Sequence, residues 1–165
     1  MIGAVVALVL AMPGCYLPPV TAPIVDPFRA PACSFCPGNR GLEYEPAPGS
    51  PVIAAAPGVV RFNGVVAGVR YLVVDQTDGR TATYGRLAAT RVALRSVVRQ
   101  GDTVATTSDR FFFGLREGQR YIDPAPFLGH ARFRPRLVPI GDWPRRRAPP
   151  PMLTCSRVGD VVGGR

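Results

Sequence analysis

Short apolar runs alternate with turn residues through the middle of the chain, and no segment keeps a 3.6-residue period. Runs of this length, bounded by glycine, proline, asparagine or aspartate, are typical of β-strands. The pattern predicts an all-β fold, a compact antiparallel β-sheet sandwich with proline-rich termini. The predicted strands are residues 52–56, 58–62, 71–75, 81–84, 97–98, 103–106 and 111–115.

The breaks between these runs carry dipeptides that favour turns. Asp78-Gly79 is the strongest of them, because this pair tolerates the positive φ angles that a tight hairpin requires. It predicts a hairpin between strands 71–75 and 81–84. Asn63-Gly64 predicts a further break after the strand at residues 58–62.

A faint internal repeat relates two of these segments, GSPVIA at residues 49–54 and GDTVAT at residues 101–106. Each begins with a turn glycine and then directs one valine, Val52 or Val104, toward a core. Turn-then-strand segments look alike in many β proteins, so the repeat alone does not establish a duplicated fold.

The two ends of the chain differ from the middle in composition. Residues 1–15 form a hydrophobic leader that resembles the apolar region of a secretory signal, although no positive segment precedes it. We expect an exported protein of the cell envelope or extracellular space; anchoring to a membrane through the N-terminus, or lipidation at Cys15, is an alternative. Residues 16–31 are predicted to be a proline-rich linker, 32–130 the β domain and 131–165 an Arg/Pro-rich tail.

Cys33 and Cys36 form a Cys-x-x-Cys pair, with Cys15 and Cys155 near the two ends. In an oxidising compartment we expect a local Cys33–Cys36 disulfide. The alternative of a redox-active pair is disfavoured, because no βαβ pattern of the thioredoxin type surrounds these cysteines. A structural zinc site would need two further ligands. The only candidates are Cys155 and His130, which lie far away in sequence and do not form a second closely spaced ligand pair.

The formal charge is +9, and all 20 basic residues are arginine. The excess could favour an anionic partner such as a wall polymer or phospholipid. However, the arginines are scattered through the chain and follow no single predicted element, so we expect no specific nucleic-acid binding. An anion-binding role for the tail stays a separate alternative, and it predicts binding that weakens steeply with salt.

Five segments in a fixed order carry a resemblance to a known family: GNRGLE (38–43), APGSPVIAAAPGVV (47–60), TYGRL (83–87), VRQGDTV (98–104) and RFFFGLR (110–116). Together they resemble the LytM/lysostaphin-type zinc endopeptidases, which cleave peptide cross-bridges in bacterial peptidoglycan. The resemblance implies the duplicated β architecture of that family, and it covers about 90 residues.

The resemblance also implies where the zinc site of the family falls. Its three metal ligands align with Asn39, Glu43 and Phe112, and its two other catalytic histidines align with Arg86 and Arg110. A catalytic zinc ion usually needs three protein ligands with lone pairs, and a guanidinium offers none. We therefore expect that the zinc cofactor of the family is lost here, with no metal ligands and no catalytic residues.

If the fold survives, the former substrate cleft becomes a groove. Its predicted floor carries Asn39, Glu43, Tyr84, Arg86, Arg110 and Phe112. The leading prediction is a non-catalytic envelope protein that binds peptidoglycan or regulates a wall hydrolase. Three alternatives stay open: an active zinc metalloendopeptidase, a filled cleft in which Arg86 pairs with Glu43, and a rearranged metal site that recruits Glu43, Asp109 and His130, the last in a predicted loop.

Overall fold

A computed structural model describes residues 15–33, 35–132 and 152–155. The predicted leader before Cys15 and most of the predicted tail lie outside these residues. The strands are β1 Ile24–Asp26, β2 Leu42–Tyr44, β3 Pro51–Ile53, β4 Gly58–Val66, β5 Val69–Gln76, β6 Arg80–Thr90, β7 Val97–Val98, β8 Thr103–Glu117, β9 Arg120–Ile122, β10 His130–Arg132 and β11 Met152–Thr154. A single 3-10 turn, Ala125–Phe127, accompanies them in the described residues.

Nine of these strands form one open antiparallel sheet in the order β1-β2-β8-β6-β5-β4-β7, and β3 and β9 also pair with β8. The long strand β8 therefore contacts four others and forms the centre of the fold. β10 and β11 form a separate antiparallel pair. The predicted all-β class is confirmed, with one open sheet as the dominant layer.

The β5–β6 hairpin forms as predicted: the Gly79 N–H donates to the Gln76 carbonyl at 3.1 Å. The break expected at Asn63-Gly64 is wrong, because both residues lie inside β4 and pair with β5. The chain turns instead at Ala67-Gly68, where φ is 49° and 80°. A type I′ hairpin turn needs positive φ at both central positions, and alanine is not the residue that usually signals it.

The two halves of the internal repeat pair with each other. β3 runs antiparallel to the start of β8, with Val52 opposite Ala105. The side chains of Val52 and Val104 are both fully buried, as the repeat predicts. The glycines that open the two segments, Gly49 and Gly101, adopt φ of 80° and 89°.

The core lies on one face of the sheet and is built from alternate residues of its strands. Phe111 and Phe113 of β8 are fully buried there. The Phe111 ring contacts Tyr44 at 5.7 Å between centroids, and the Phe113 ring contacts Tyr84 at 5.3 Å. Phe112, between them, points to the opposite face.

The segment predicted as a proline-rich linker is instead packed on the domain. Tyr16 is 1% exposed, and its hydroxyl donates to Asp78 at 2.7 Å. Val20 is also buried, and β1 pairs with β2 at the edge of the sheet. Prolines keep the segment extended, and an extended segment with apolar side chains can add to a sheet edge.

Two disulfides join all four cysteines: Cys33 with Cys36, and Cys15 with Cys155. The second brings residue 155 of the predicted tail back to the start of the domain. Cys15, the candidate lipidation site, is held in this second disulfide. His130, expected in a loop, lies in β10. The described part of the chain holds no helix long and apolar enough to span a membrane.

Candidate functional site

The aligned site positions meet on the open face of the sheet, opposite the core. In the register of β2, β8 and β6, Glu43 lies opposite Phe112, and Phe112 lies opposite Gly85. Residues opposite each other on neighbouring strands present their side chains to the same face. Glu43 and Phe112 are therefore neighbours, and Arg86 and Arg110 each lie within two residues of this row.

The carboxylate of Glu43 lies between two guanidinium groups. Its Oε1 is 3.3 Å from Nη2 of Arg86, and its Oε2 is 3.6 Å from Nη1 of Arg110. The Glu43 side chain is 16% exposed, whereas those of Arg86 and Arg110 are 46% and 51% exposed. Each arginine gives one nitrogen to Glu43, so most of its five N–H donors remain turned toward solvent.

The ring of Phe112 lies over a bed of three glycines on three strands or their approaches. A Cβ atom added at Gly41, Gly85 or Gly114 would come within 2.7, 3.3 and 3.0 Å of that ring. Tyr71 of β5 extends the same surface, because its ring would come within 2.7 Å of a Cβ at Gly85. Because these glycines have no side chains, the two aromatic rings can lie directly on the backbone of the sheet.

Arg86 has an unusual backbone. Its φ is 59°, in the left-handed region that non-glycine residues rarely adopt, where β6 is irregular between Gly85 and Leu87. The Ser108 hydroxyl lies 2.8 Å from the Arg86 carbonyl oxygen and 2.9 Å from that of Arg110, so its single O–H can donate to either of these two groups. Backbone strain of this kind is often kept at functional sites.

Asn39 is buried and does not reach the cluster as a free donor. Its amide nitrogen donates to the carbonyl oxygens of Asp26 and Pro27 at 3.2 and 3.1 Å. Its amide oxygen accepts from the Gly41 N–H at 3.3 Å. The side chain therefore ties the end of β1 to the approach to β2, which is a structural role.

Tyr84 was predicted to lie on the groove floor, and this is wrong. The side chain is fully buried in the core, and its hydroxyl accepts from the Ala55 N–H at 2.9 Å. Burial raises the pKa of Tyr84. The reason is the two-residue period of a strand: Gly85 faces the site, so Tyr84 must face away.

Two groups that the sequence did not predict complete the site. The first is the ion pair of Asp26 and Arg29, in which the hydrogen bond from Arg29 lowers the pKa of Asp26. Arg110 also acts on Asp26 through charge. The second is Tyr71, beside Phe112. The Asp26–Arg29 ion pair was not predicted because residues 16–31 were interpreted as a linker. The position of Tyr71 at the site follows only from the strand register.

The residues present do not fit a zinc ion. Of the three aligned ligand positions, Phe112 has no lone pair to offer, and Asn39 is engaged with the backbone. Glu43 is already shared by two cations, which would also repel a third. Across residues 15–33, 35–132 and 152–155, no three histidine, cysteine, aspartate or glutamate side chains cluster to hold a metal. The alternative site of Glu43, Asp109 and His130 depends on the His130 side chain, which lies outside the part of the chain that the structure describes.

Comparison with known proteins decides the family. The sequence profile of Peptidase family M23 matches residues 37–124, more than half of the chain and all five site positions. The chain belongs to Peptidase family M23. The predicted resemblance to the LytM/lysostaphin type is confirmed.

Solved structures of M23 proteins share the fold. Csd3 of Helicobacter pylori superposes with a TM-score of 0.63 at 23% identity, covering 71% of this chain and 35% of Csd3. The catalytic domain of lysostaphin from Staphylococcus simulans gives 0.58 at 16% identity, covering 64% of this chain and 91% of that domain. The catalytic domain of EnpA, a prophage-encoded M23 protein of Enterococcus faecalis, gives 0.54 at 20%, covering 67% and 95%.

The chain thus spans about a third of the length of Csd3 but nearly the whole of the isolated catalytic domains. No curated protein sequence matches it significantly. At these identities the structural likeness establishes the M23 fold and leaves the chemistry to the residues of this chain.

Proposed function

We propose that this chain is a non-catalytic member of Peptidase family M23 that acts at the cell envelope, where it binds peptidoglycan or regulates a wall hydrolase. The observation that carries the proposal is the arrangement around Glu43. Its carboxylate contacts Arg86 and Arg110, and the ring of Phe112 lies beside it, at the positions where the resembled family holds and uses its metal.

The physical argument concerns both binding and reactivity. A zinc peptidase lowers the pKa of a metal-bound water to about 7 and uses a neighbouring base to direct its attack. Arginine stays protonated at any physiological pH and has no acceptor atom, so neither Arg86 nor Arg110 can serve as that base. In this proposal the fold serves to recognise peptidoglycan or a wall hydrolase, and it does so without zinc.

Export is part of the same proposal. Disulfides persist in oxidising compartments outside the cytosol, and all four cysteines of this chain pair within it. The family to which the chain belongs acts on peptidoglycan, and we infer that this is the polymer the chain meets there. The positive formal charge of +9 adds attraction to an anionic wall.

The test is zinc content measured together with hydrolysis. The purified, oxidised chain is incubated with excess zinc, separated from free metal and assayed by elemental analysis and by release of peptides from purified peptidoglycan. We expect essentially no zinc and no release. The lysostaphin catalytic domain, treated identically, is the positive control.

A restored variant sharpens the result. Replacing all five positions, with Asn39→His, Glu43→Asp, Arg86→His, Arg110→His and Phe112→His, should raise zinc uptake because imidazole and carboxylate are good ligands. About one zinc per unmodified chain, with peptide release, would instead establish the active metalloendopeptidase. Sedimentation of the unmodified chain with insoluble peptidoglycan then separates wall binding from regulation of a hydrolase.

A further inference from the structure

The two arginines beside Glu43 carry more positive charge than the one carboxylate of Glu43 neutralises. Arg29 is balanced by Asp26, whereas Arg86 and Arg110 share the one carboxylate of Glu43. The cluster therefore has a surplus of one positive charge on a face open to solvent. A singly charged anion would balance it.

The geometry leaves room for that anion. The contacts to Glu43, at 3.3 and 3.6 Å, are longer than a strong charge-assisted hydrogen bond, which is about 2.7–2.9 Å. The two guanidinium groups are about half exposed, so their remaining N–H donors are accessible. Guanidinium groups favour planar, two-pronged contacts with carboxylates and phosphates.

Nearby acidic groups favour a carboxylate over a phosphate. Glu43 and Asp26 both lie in the cluster, and Arg110 acts on Asp26 through its charge. A doubly charged phosphate would exceed the surplus and be repelled by these two carboxylates. A monoanionic carboxylate matches the surplus of one.

An apolar surface adjoins the arginines. The Phe112 ring occupies the position on β8 between Glu43 and Gly85, and Tyr71 lies over Gly85 from the other side. Neighbouring strands are about 4.8 Å apart, so a ligand held by the arginines can place a group one carbon from its carboxylate against these rings. A peptide C-terminus has this arrangement, with a side chain on the carbon that bears the carboxylate.

We infer that Arg86 and Arg110 bind the C-terminal carboxylate of a peptide, with its last side chain on Phe112 and Tyr71. The left-handed backbone of Arg86 and the Ser108 hydroxyl between the two arginine carbonyls hold the guanidinium groups in position for it. The inference deepens the proposed function and rests on it, since a metal on Glu43 would displace both arginines.

Probe peptides of defined chemistry test the site. Binding to the full, oxidised chain is followed by NMR of the arginine Nε–Hε groups. The probes are N-acetyl-dialanine with a free C-terminus, the same peptide as its C-terminal amide, and N-acetyl-aspartate amide, whose carboxylate is on a side chain. We expect the free acid to bind at least about tenfold more tightly than either amide.

Four variants distinguish a binding site from a merely structural ion pair. Arg110→Gln and Arg86→Gln should each weaken binding of the free acid about tenfold. Arg61→Gln, which removes the exposed ion pair with Asp75 elsewhere on the sheet, should leave it unchanged. Glu43→Gln should strengthen binding several-fold, because it removes the carboxylate that competes for the same donors.

Equal binding of the C-terminal amide, or equal losses in Arg61→Gln and Arg110→Gln, would overturn the inference. Equal binding of the aspartate amide would overturn the assignment to a peptide C-terminus. Zinc content measured on the same samples distinguishes failure of this inference from failure of the proposed function. If the protein is zinc-free and does not bind the free acid, this inference alone is wrong. Zinc-loaded protein defeats the proposed function as well.

Discussion

The two faces of strands β2, β6 and β8 obey different constraints, although successive residues of each strand alternate between them. On the core face, Tyr44, Tyr84, Phe111 and Phe113 are almost fully buried and contact one another ring to ring. On the open face, the same strands carry Glu43, Gly85 and Phe112. The core face carries the packing of the M23 fold, and the open face carries residues whose functional groups do not fit a zinc ion. A fold and its chemistry can therefore change separately, one residue apart along a strand.

The largest expected effect comes from truncating an aromatic ring on each face. Phe113→Ala should lower the free energy of unfolding by about 3–5 kcal/mol, because it leaves a cavity in a close-packed core. Phe112→Ala should cost less than half as much, because its ring is partly exposed and its space opens to solvent. Urea unfolding followed by circular dichroism measures both. Equal losses would contradict the contrast between the faces.

High pH should separate the tyrosines of the core from those of the surface. Burial raises the pKa of Tyr16, Tyr44 and Tyr84, and the hydrogen bond to Asp78 adds to the effect at Tyr16. In the unfolded chain these groups ionise near pH 10. Their contribution to stability is thus complete below pH 10 and lost as pH rises above it, by about 1.4 kcal/mol per tyrosine per pH unit.

The measurement is urea unfolding at pH 9, 10 and 11, with tyrosinate absorbance recorded beside it. The chain has no lysine and all four cysteines are in disulfides, so the tyrosines dominate titration in this range. A stability that is flat between pH 9 and pH 11 would show that these hydroxyls are accessible in the folded state.

The smallest effect tests one hydroxyl on each face. Tyr84→Phe removes the oxygen that accepts from the buried Ala55 N–H, which should cost about 1–3 kcal/mol because that N–H is left without a partner. Tyr71→Phe is the matched change on the open face, where water can replace the lost group, and we expect it to be near neutral. Thermal unfolding of the two variants gives the comparison, and a larger loss for Tyr71→Phe would reverse it.

Much of the fold followed from local signals, and the errors arose where contacts between residues distant in sequence decide the structure. The turn at Asp78-Gly79 and the burial of the two repeat valines, Val52 and Val104, were predictable because turn chemistry and strand alternation act on adjacent residues. The turn at Ala67-Gly68 was missed because alanine at positive φ is uncommon, and strand pairing, not propensity, places it there. The role of residues 16–31 was missed because packing against Asp78 and β2 joins positions far apart in sequence.

The functional groups at the site positions follow from the sequence, whereas the face of the sheet to which each side chain points does not. That Asn39, Phe112, Arg86 and Arg110 cannot replace zinc ligands and bases follows from their functional groups alone. That Tyr84 faces the core follows only from the strand register. The contact of Arg86 with Glu43, which was one part of the filled-cleft alternative, is observed, and Arg110 also contacts Glu43.

The bond between Cys15 and Cys155, 140 residues apart, gives the domain the topology of a ring. A protease that cuts one exposed turn, such as Ala67-Gly68, would open the backbone without separating the pieces, because both remain on the same covalent circuit. The sheet can then hold its strands in register across the cut. A first cleavage at that turn therefore leaves the two pieces covalently joined.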